Sequence, residues 1–148
     1  MRTYQIYWIG EEFAHYFYGR ERNFFQLFFE SSCSGTDKQQ IIEKQVQYIT
    51  NKFAPSKVKQ LLTEALGERH GFSIEKGGYY RIELPNEKGG AELFAESECL
   101  YLKATGSYES ETIFFHALKK MNACLFAVDF ERNNYGWLQP IKKEILFK

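Results

Sequence analysis

Little in this sequence points to chemistry. Its three cysteines, Cys33, Cys99 and Cys124, share no CxxC spacing, which excludes a disulfide framework or a thiolate zinc site and fits reduced thiols. The three histidines, His15, His70 and His116, are scattered, and no carboxylate lies at ligand spacing from a second histidine, so no metal is expected. No GxGxxG or Walker pattern occurs, and Gly77-Gly78 and Gly89-Gly90 read as turns beside strands, not as phosphate loops. Charge of one sign is not in excess: nineteen Lys and Arg balance nineteen Asp and Glu. Direct nucleic-acid binding is therefore not expected, because it depends on basic side chains at phosphates. No apolar run approaches the ~18 residues of a membrane span, and MRTYQIYWIGEE carries no signal-peptide cleavage pattern. A soluble, cytoplasmic protein away from the membrane is the expectation.

What is abundant is aromatic surface. Fourteen Phe and ten Tyr bring the aromatic content to 18% of 148 residues, in a chain of the usual length for one domain, here residues 1–148. Such an excess means a bulky core or an aromatic binding surface. It concentrates in Glu11 to Cys33, EEFAHYFYGRERNFFQLFFESSC, for which a helix is expected. At about 100° per residue, Phe13, Tyr16, Phe17, Phe24, Leu27 and Phe28 form one stripe and Ala14, Tyr18, Phe25 and Phe29 a second. Together they span roughly 200°, about twice what a surface helix needs to bury. One stripe can enter the core; the other needs further covering structure or a partner. Periodicity leaves open which one that is. Gly19, inside the stretch, marks either a kink or a close backbone approach.

The rest of the chain gives clear signals. Thr3 to Ile9 reads as a strand. Asp37 to Gln40 resembles a capping box for a helix to about Tyr48, with Ile42, Val46 and Ile49 inward. Pro55 opens a helix whose Val58, Leu61, Leu62, Ala65 and Leu66 follow the amphipathic pattern, with Gly67 at its stop. From Phe72 the period becomes two, through Tyr80, Ile82 and Leu84, then Ala91 to Glu96 and Cys99 to Thr105. A helix from Ser107 buries Ile113, Phe114, Ala117, Leu118 and Met121. CLFAVDF (Cys124 to Phe130) reads as a buried strand, and YGWLQPI as a last strand whose Pro140 suits an edge or an end. The order β-α-α-α-β-β-β-α-β-β predicts one α+β domain with a mostly antiparallel sheet flanked by helices.

Catalysis finds little support. Cys124 with His116 would be the pair for a thiol enzyme, but Cys124 opens an apolar strand and reads as a buried, inert thiol. Glu109 and Glu111 suit a helix N-terminus without further purpose. The element order resembles an acetyltransferase of the GNAT type, an alternative reading that would use acetyl-CoA. That family holds pyrophosphate on a Q/R-x-x-G-x-G/A loop entering a helix. The stretch here, ATGSYESET, has one glycine and no matching Arg or Gln. No cofactor and no catalysis are expected.

Four stretches, EEFAHYFYGRE, EKQVQYIT, ETIFFHALKK and YGWLQP, with YRIELPNEKG and CLFAVDF between them, resemble the sporulation inhibitor of replication family, SirA, of spore-forming bacteria. The resemblance runs nearly end to end and rests on joint order and spacing, since none of the stretches is a catalytic signature. It implies a non-catalytic protein that binds the N-terminal domain of the replication initiator DnaA and blocks initiation at the origin during sporulation. Carried over by motif, the implied contacts are Phe13 and Phe17, and Gln47 in EKQVQYIT, while Tyr18 is a further functional or structural candidate. Phe17 stands where the family pattern has Tyr, which removes a hydroxyl but keeps the ring. Pro140 matches a position tied to function or structure. A monomer awaiting a protein partner is expected, with a homodimer closed by the aromatic surface as the alternative.

Overall fold

The computed structural model describes residues 1–33 and 38–139. In chain order the elements are β1 (Arg2–Ile9), α1 (Glu11–Tyr16), α2 (Arg22–Ser32), α3 (Gln39–Ile49), β2 (Thr50–Asn51), α4 (Pro55–Leu66), β3 (Phe72–Glu75), β4 (Tyr79–Glu83), β5 (Gly89–Ala95), β6 (Leu100–Gly106), α5 (Glu109–Leu118), β7 (Leu125–Asp129) and β8 (Asn134–Trp137). The fold is α+β, as the order of signals predicts, with a first meander strand, β3, and the two-residue β2 added.

All the strands join one antiparallel sheet in the order β3-β4-β5-β6-β1-β7-β8, with β2 paired to the end of β1. β1 is the centre. It pairs with β6 from Arg2↔Ala104 to Ile6↔Leu100 and with β7 from Gln5↔Val128 to Trp8↔Leu125. β6 and β7 thus run parallel to each other with β1 between them, and α5 makes the crossover. Alternation along the strands sends successive side chains to opposite faces, so the sheet has a core on each side. Toward α4 and α5, Ile6, Ile82, Leu93, Leu100 and Leu102 pack with Val58, Leu62, Phe114 and Leu118. On the other face Tyr7, Ile9, Phe126 and Val128 pack with Ala14, Phe24, Phe25 and Phe28. Each of these large side chains contributes about 1.5–3 kcal/mol by leaving water.

The long first helix is two helices. The chain leaves helical geometry after Tyr16 and regains it at Arg22, turning at Gly19 with φ +83°. A Cβ placed there would touch nothing within 4 Å. The glycine therefore serves the turn through its left-handed backbone, not through a close approach. The break re-phases everything after it, so neither stripe enters the core whole. Phe24 and Phe28 come from one stripe, Ala14 and Phe25 from the other.

Elsewhere the amphipathic α4 buries Val58, Leu62 and Leu66. β7 is buried except at the half-buried Ala127, and β8 is one edge of the sheet. Asp37 of the expected capping box and Pro140 both lie outside the described residues.

Candidate protein-docking surface

α1 is a short helix held mainly by its ends. Gly10 precedes it, and no side chain caps it. The Gly10 N–H donates to the Ile49 carbonyl at 2.8 Å, while the Gly10 carbonyl accepts from the N–H groups of Phe13 and Ala14 at 3.0 Å. The start of α1 is thereby tied to the end of α3, where Thr50 donates from Oγ1 to the Val46 carbonyl at 2.7 Å. A side chain at position 10 would press on the Phe13 ring, 3.2 Å from an added Cβ.

This junction sets Phe13 edge-on against Tyr48 of α3, with ring centroids 5.3 Å apart. One turn on, Phe17 meets Tyr16 at 4.9 Å and Phe24 at 5.3 Å, both edge-on. The Arg20 guanidinium lies over Tyr16 and Phe17, 5.3 and 5.2 Å from their ring centres, and donates to the Tyr16 carbonyl at 3.0 Å. Cation–π contacts of this kind fix ring orientation as well as adding attraction. Beside Phe17 a groove of about 510 Å³ opens between α2 and α3. Its walls are Phe17, Phe24, Leu27, Ile41, Tyr48 and Ile49, and Asn23, Lys44 and Gln45 form its polar margin.

Phe13 and Phe17 are half-buried. Tyr16, Tyr48 and Ile41 are 70%, 76% and 60% exposed. Gln47 is exposed on α3, next in sequence to Tyr48, and Tyr18 is exposed in the turn. Phe13, Tyr16, Phe17, Ile41 and Tyr48 make an apolar, aromatic-rich patch on two helices braced against each other, while Gln47 and Tyr18 are exposed outside the lining of the groove. Aromatic anchors beside a groove, with polar groups at the margin, are the composition of a protein-docking centre. Ile41 and Tyr48 are not singled out by the sequence pattern, because Ile42, Val46 and Ile49 already supply the inward face of α3. The signal that could have found them is their spacing of seven, which puts two large apolar groups on a second face.

The remaining candidates do not form a reaction site. At the start of α5, where the GNAT-like reading would seat a pyrophosphate, the protein has placed its own carboxylate. Glu111 is buried and accepts from Arg2 Nε at 2.9 Å and Nη2 at 2.6 Å, and from the Tyr4 hydroxyl. Arg2 Nη2 also donates to the Ser107 carbonyl at 3.2 Å, and the Tyr108 ring covers the guanidinium at 4.2 Å. The hydrogen bond to Glu111 raises the Arg2 pKa further; burial, then Glu111, pushes the Tyr4 phenol well above its usual range. A phosphate there would face Glu109 and Glu111 and would find the available cation already paired. Burial, with Glu11 nearby, raises the Cys124 thiol, the reverse of what a thiolate nucleophile needs. His15 and His116 are exposed. Among the described residues no cluster of three or more His, Cys, Asp or Glu is placed to hold a metal, and no helix is long and apolar enough to cross a membrane.

Comparison with known proteins shows the family. The family model described as sporulation inhibitor of replication protein SirA matches residues 2–142. The sporulation inhibitor of replication protein SirA of Bacillus subtilis strain 168 is 39% identical over 144 residues, an alignment covering 96% of each chain. The α1 and α3 patch thus belongs to a chain matched over nearly its whole length, and this protein is a member of the SirA family.

Proposed function

We propose that this protein inhibits the initiation of DNA replication during sporulation by docking onto the N-terminal domain of the initiator DnaA. It acts in the cytoplasm, without catalysis. Family membership supports the inhibitory role, and the resemblance of its motifs to the family supports DnaA as the partner. The observation that carries the docking surface is the braced pair Phe13 and Tyr48, continued through Phe17 into the groove between α2 and α3. Phe13 and Phe17 act as anchors and Gln47, exposed on α3, as a separate polar contact. The inhibition is steric: a covered DnaA surface is unavailable to other initiator molecules or initiation factors.

Calorimetric titration against the DnaA N-terminal domain tests this reading. Phe13→Ala and Phe17→Ala should each weaken binding by about 2 kcal/mol, roughly 30-fold in Kd, as hot-spot truncations do. The monomer should remain folded by circular dichroism. Parent-like affinity in both variants would remove α1 from the interface.

A further inference from the structure

Glu21 is outside the aromatic patch, yet it sits where the patch meets the sheet. Its Oε2 accepts from the backbone N–H of Gly19 at 3.0 Å and from the indole N–H of Trp137 at 3.3 Å. Gly19 is the left-handed residue that turns the chain from α1 into α2. Trp137 ends the edge strand β8. An aromatic chain runs parallel to this polar bridge: Trp137 meets Phe126 at 5.0 Å and Phe24 at 5.8 Å, and Phe24 meets Phe17 at 5.3 Å.

The bridge matters because α1 cannot hold its own geometry. Six residues fall far short of the ~12–15 at which an isolated helix becomes even marginal in water. Its first end is tied by the Gly10 backbone. Its far end runs straight into the turn that Glu21 holds, and the Tyr18 N–H there donates to the His15 carbonyl at a long 3.2 Å. A surface already fixed in its binding shape avoids the ordering cost of association.

We infer that Glu21 is a positioning residue, a clasp between β8 and the α1–α2 turn that holds Phe13 and Phe17 in the orientation they dock in. The inference rests on the docking role proposed for α1. Through the clasp, β8 acts on a surface that it does not itself form. Releasing Gly19 loosens the far end of α1, where the Arg20 bond to the Tyr16 carbonyl and the Phe17–Phe24 contact remain, and a smaller part of the population then presents the patch correctly. Apparent affinity falls in proportion to that fraction.

The test compares Glu21→Ala with Glu21→Gln, which keeps an acceptor oxygen, and with Trp137→Phe, which keeps a ring and removes the N–H. Amide hydrogen exchange is measured on the free protein, and titration against the DnaA N-terminal domain is measured alongside. Glu21→Ala and Trp137→Phe should speed exchange of the Phe17 and Tyr18 amides while the α4 amides are unchanged. Both should weaken binding by about tenfold, as expected if the competent fraction drops to about a tenth, and Glu21→Gln should restore both readouts. Unchanged exchange in Glu21→Ala overturns the clasp, and so does equal acceleration in α4, which would mean general destabilisation. Faster local exchange with parent affinity, in a titration where Phe17→Ala does weaken binding, overturns its part in docking. If Phe17→Ala also binds like the parent, the docking role of α1 has failed, and exchange alone decides the clasp.

Discussion

Arg2 and Glu111 lie 109 positions apart and form a buried ion pair of three hydrogen bonds, joining the first strand to the start of α5. Tyr4 donates to the same carboxylate from its hydroxyl, and Tyr108 covers the guanidinium. Removing one charge from such a pair strands the other, which costs more than losing the pair. Glu111→Ala should therefore destabilise the protein by ~3 kcal/mol in urea unfolding. The double variant Arg2→Met, Glu111→Leu should recover a large part of that loss. A double variant no more stable than Glu111→Ala would refute this account.

The groove makes a prediction separate from α1. Tyr48 braces Phe13 and is largely exposed, while Ile41 lines the same opening. Tyr48→Ala should weaken binding to the partner by more than 1 kcal/mol, and Ile41→Ser by about 1 kcal/mol. Neither should lower the melting temperature much, because neither side chain enters a core. Calorimetric titration paired with a thermal scan checks both statements.

Two glycines offer an internal control. Gly19 needs φ +83°, whereas Gly136 in β8 lies outside the positive-φ set, and an added Cβ at either position meets nothing within 4 Å. Ala at position 19 should therefore destabilise by about 1 kcal/mol through backbone strain alone. Ala at position 136 should be neutral or slightly stabilising. Equal effects in chemical denaturation would show that Gly19 does not need its left-handed conformation.

Alkaline pH should unfold the protein through buried acids that are neutral in the native state. Burial pushes the Cys99 thiol up to about 11 from an ordinary value near 9. Burial likewise raises the Tyr7 phenol. An acid with a raised folded pKa holds its proton when the unfolded chain has lost it, so its contribution is complete below pH 9 and declines as pH rises toward 11. Urea midpoints should fall over that window. At pH 8, alkylation should modify the exposed Cys33 rapidly and Cys99 only after unfolding.

Much of the fold is legible in the sequence because its signals are periodic and uninterrupted. Val58 to Leu66 repeats at helical spacing, Tyr80 to Leu84 alternates, and Leu125 to Asp129 is apolar enough to be buried on both faces. The first helical stretch is different. One glycine in a left-handed conformation resets the phase of all that follows, and aromatic density hides the break by keeping both stripes plausible on either side of it. Phe13 and Phe17 stand out through motif resemblance; the groove residue Tyr48 emerges only when α3 is laid beside α1. β2, two residues long, carries no pattern to read, and the meander signals merge β3 into the turn before β4.

The sheet at the centre of the molecule also acts as a partition. α4 and α5 stand on one side with their own core, while α1, α2 and α3 stand on the other with theirs. Both cores hold the chain folded, and the proposed docking surface is the solvent side of the second. Changes to exposed side chains of that proposed surface, such as Tyr48 and Ile41, can retune how tightly a partner is met while both cores stay intact. That arrangement gives a small inhibitor room to follow an evolving target without risking its own collapse.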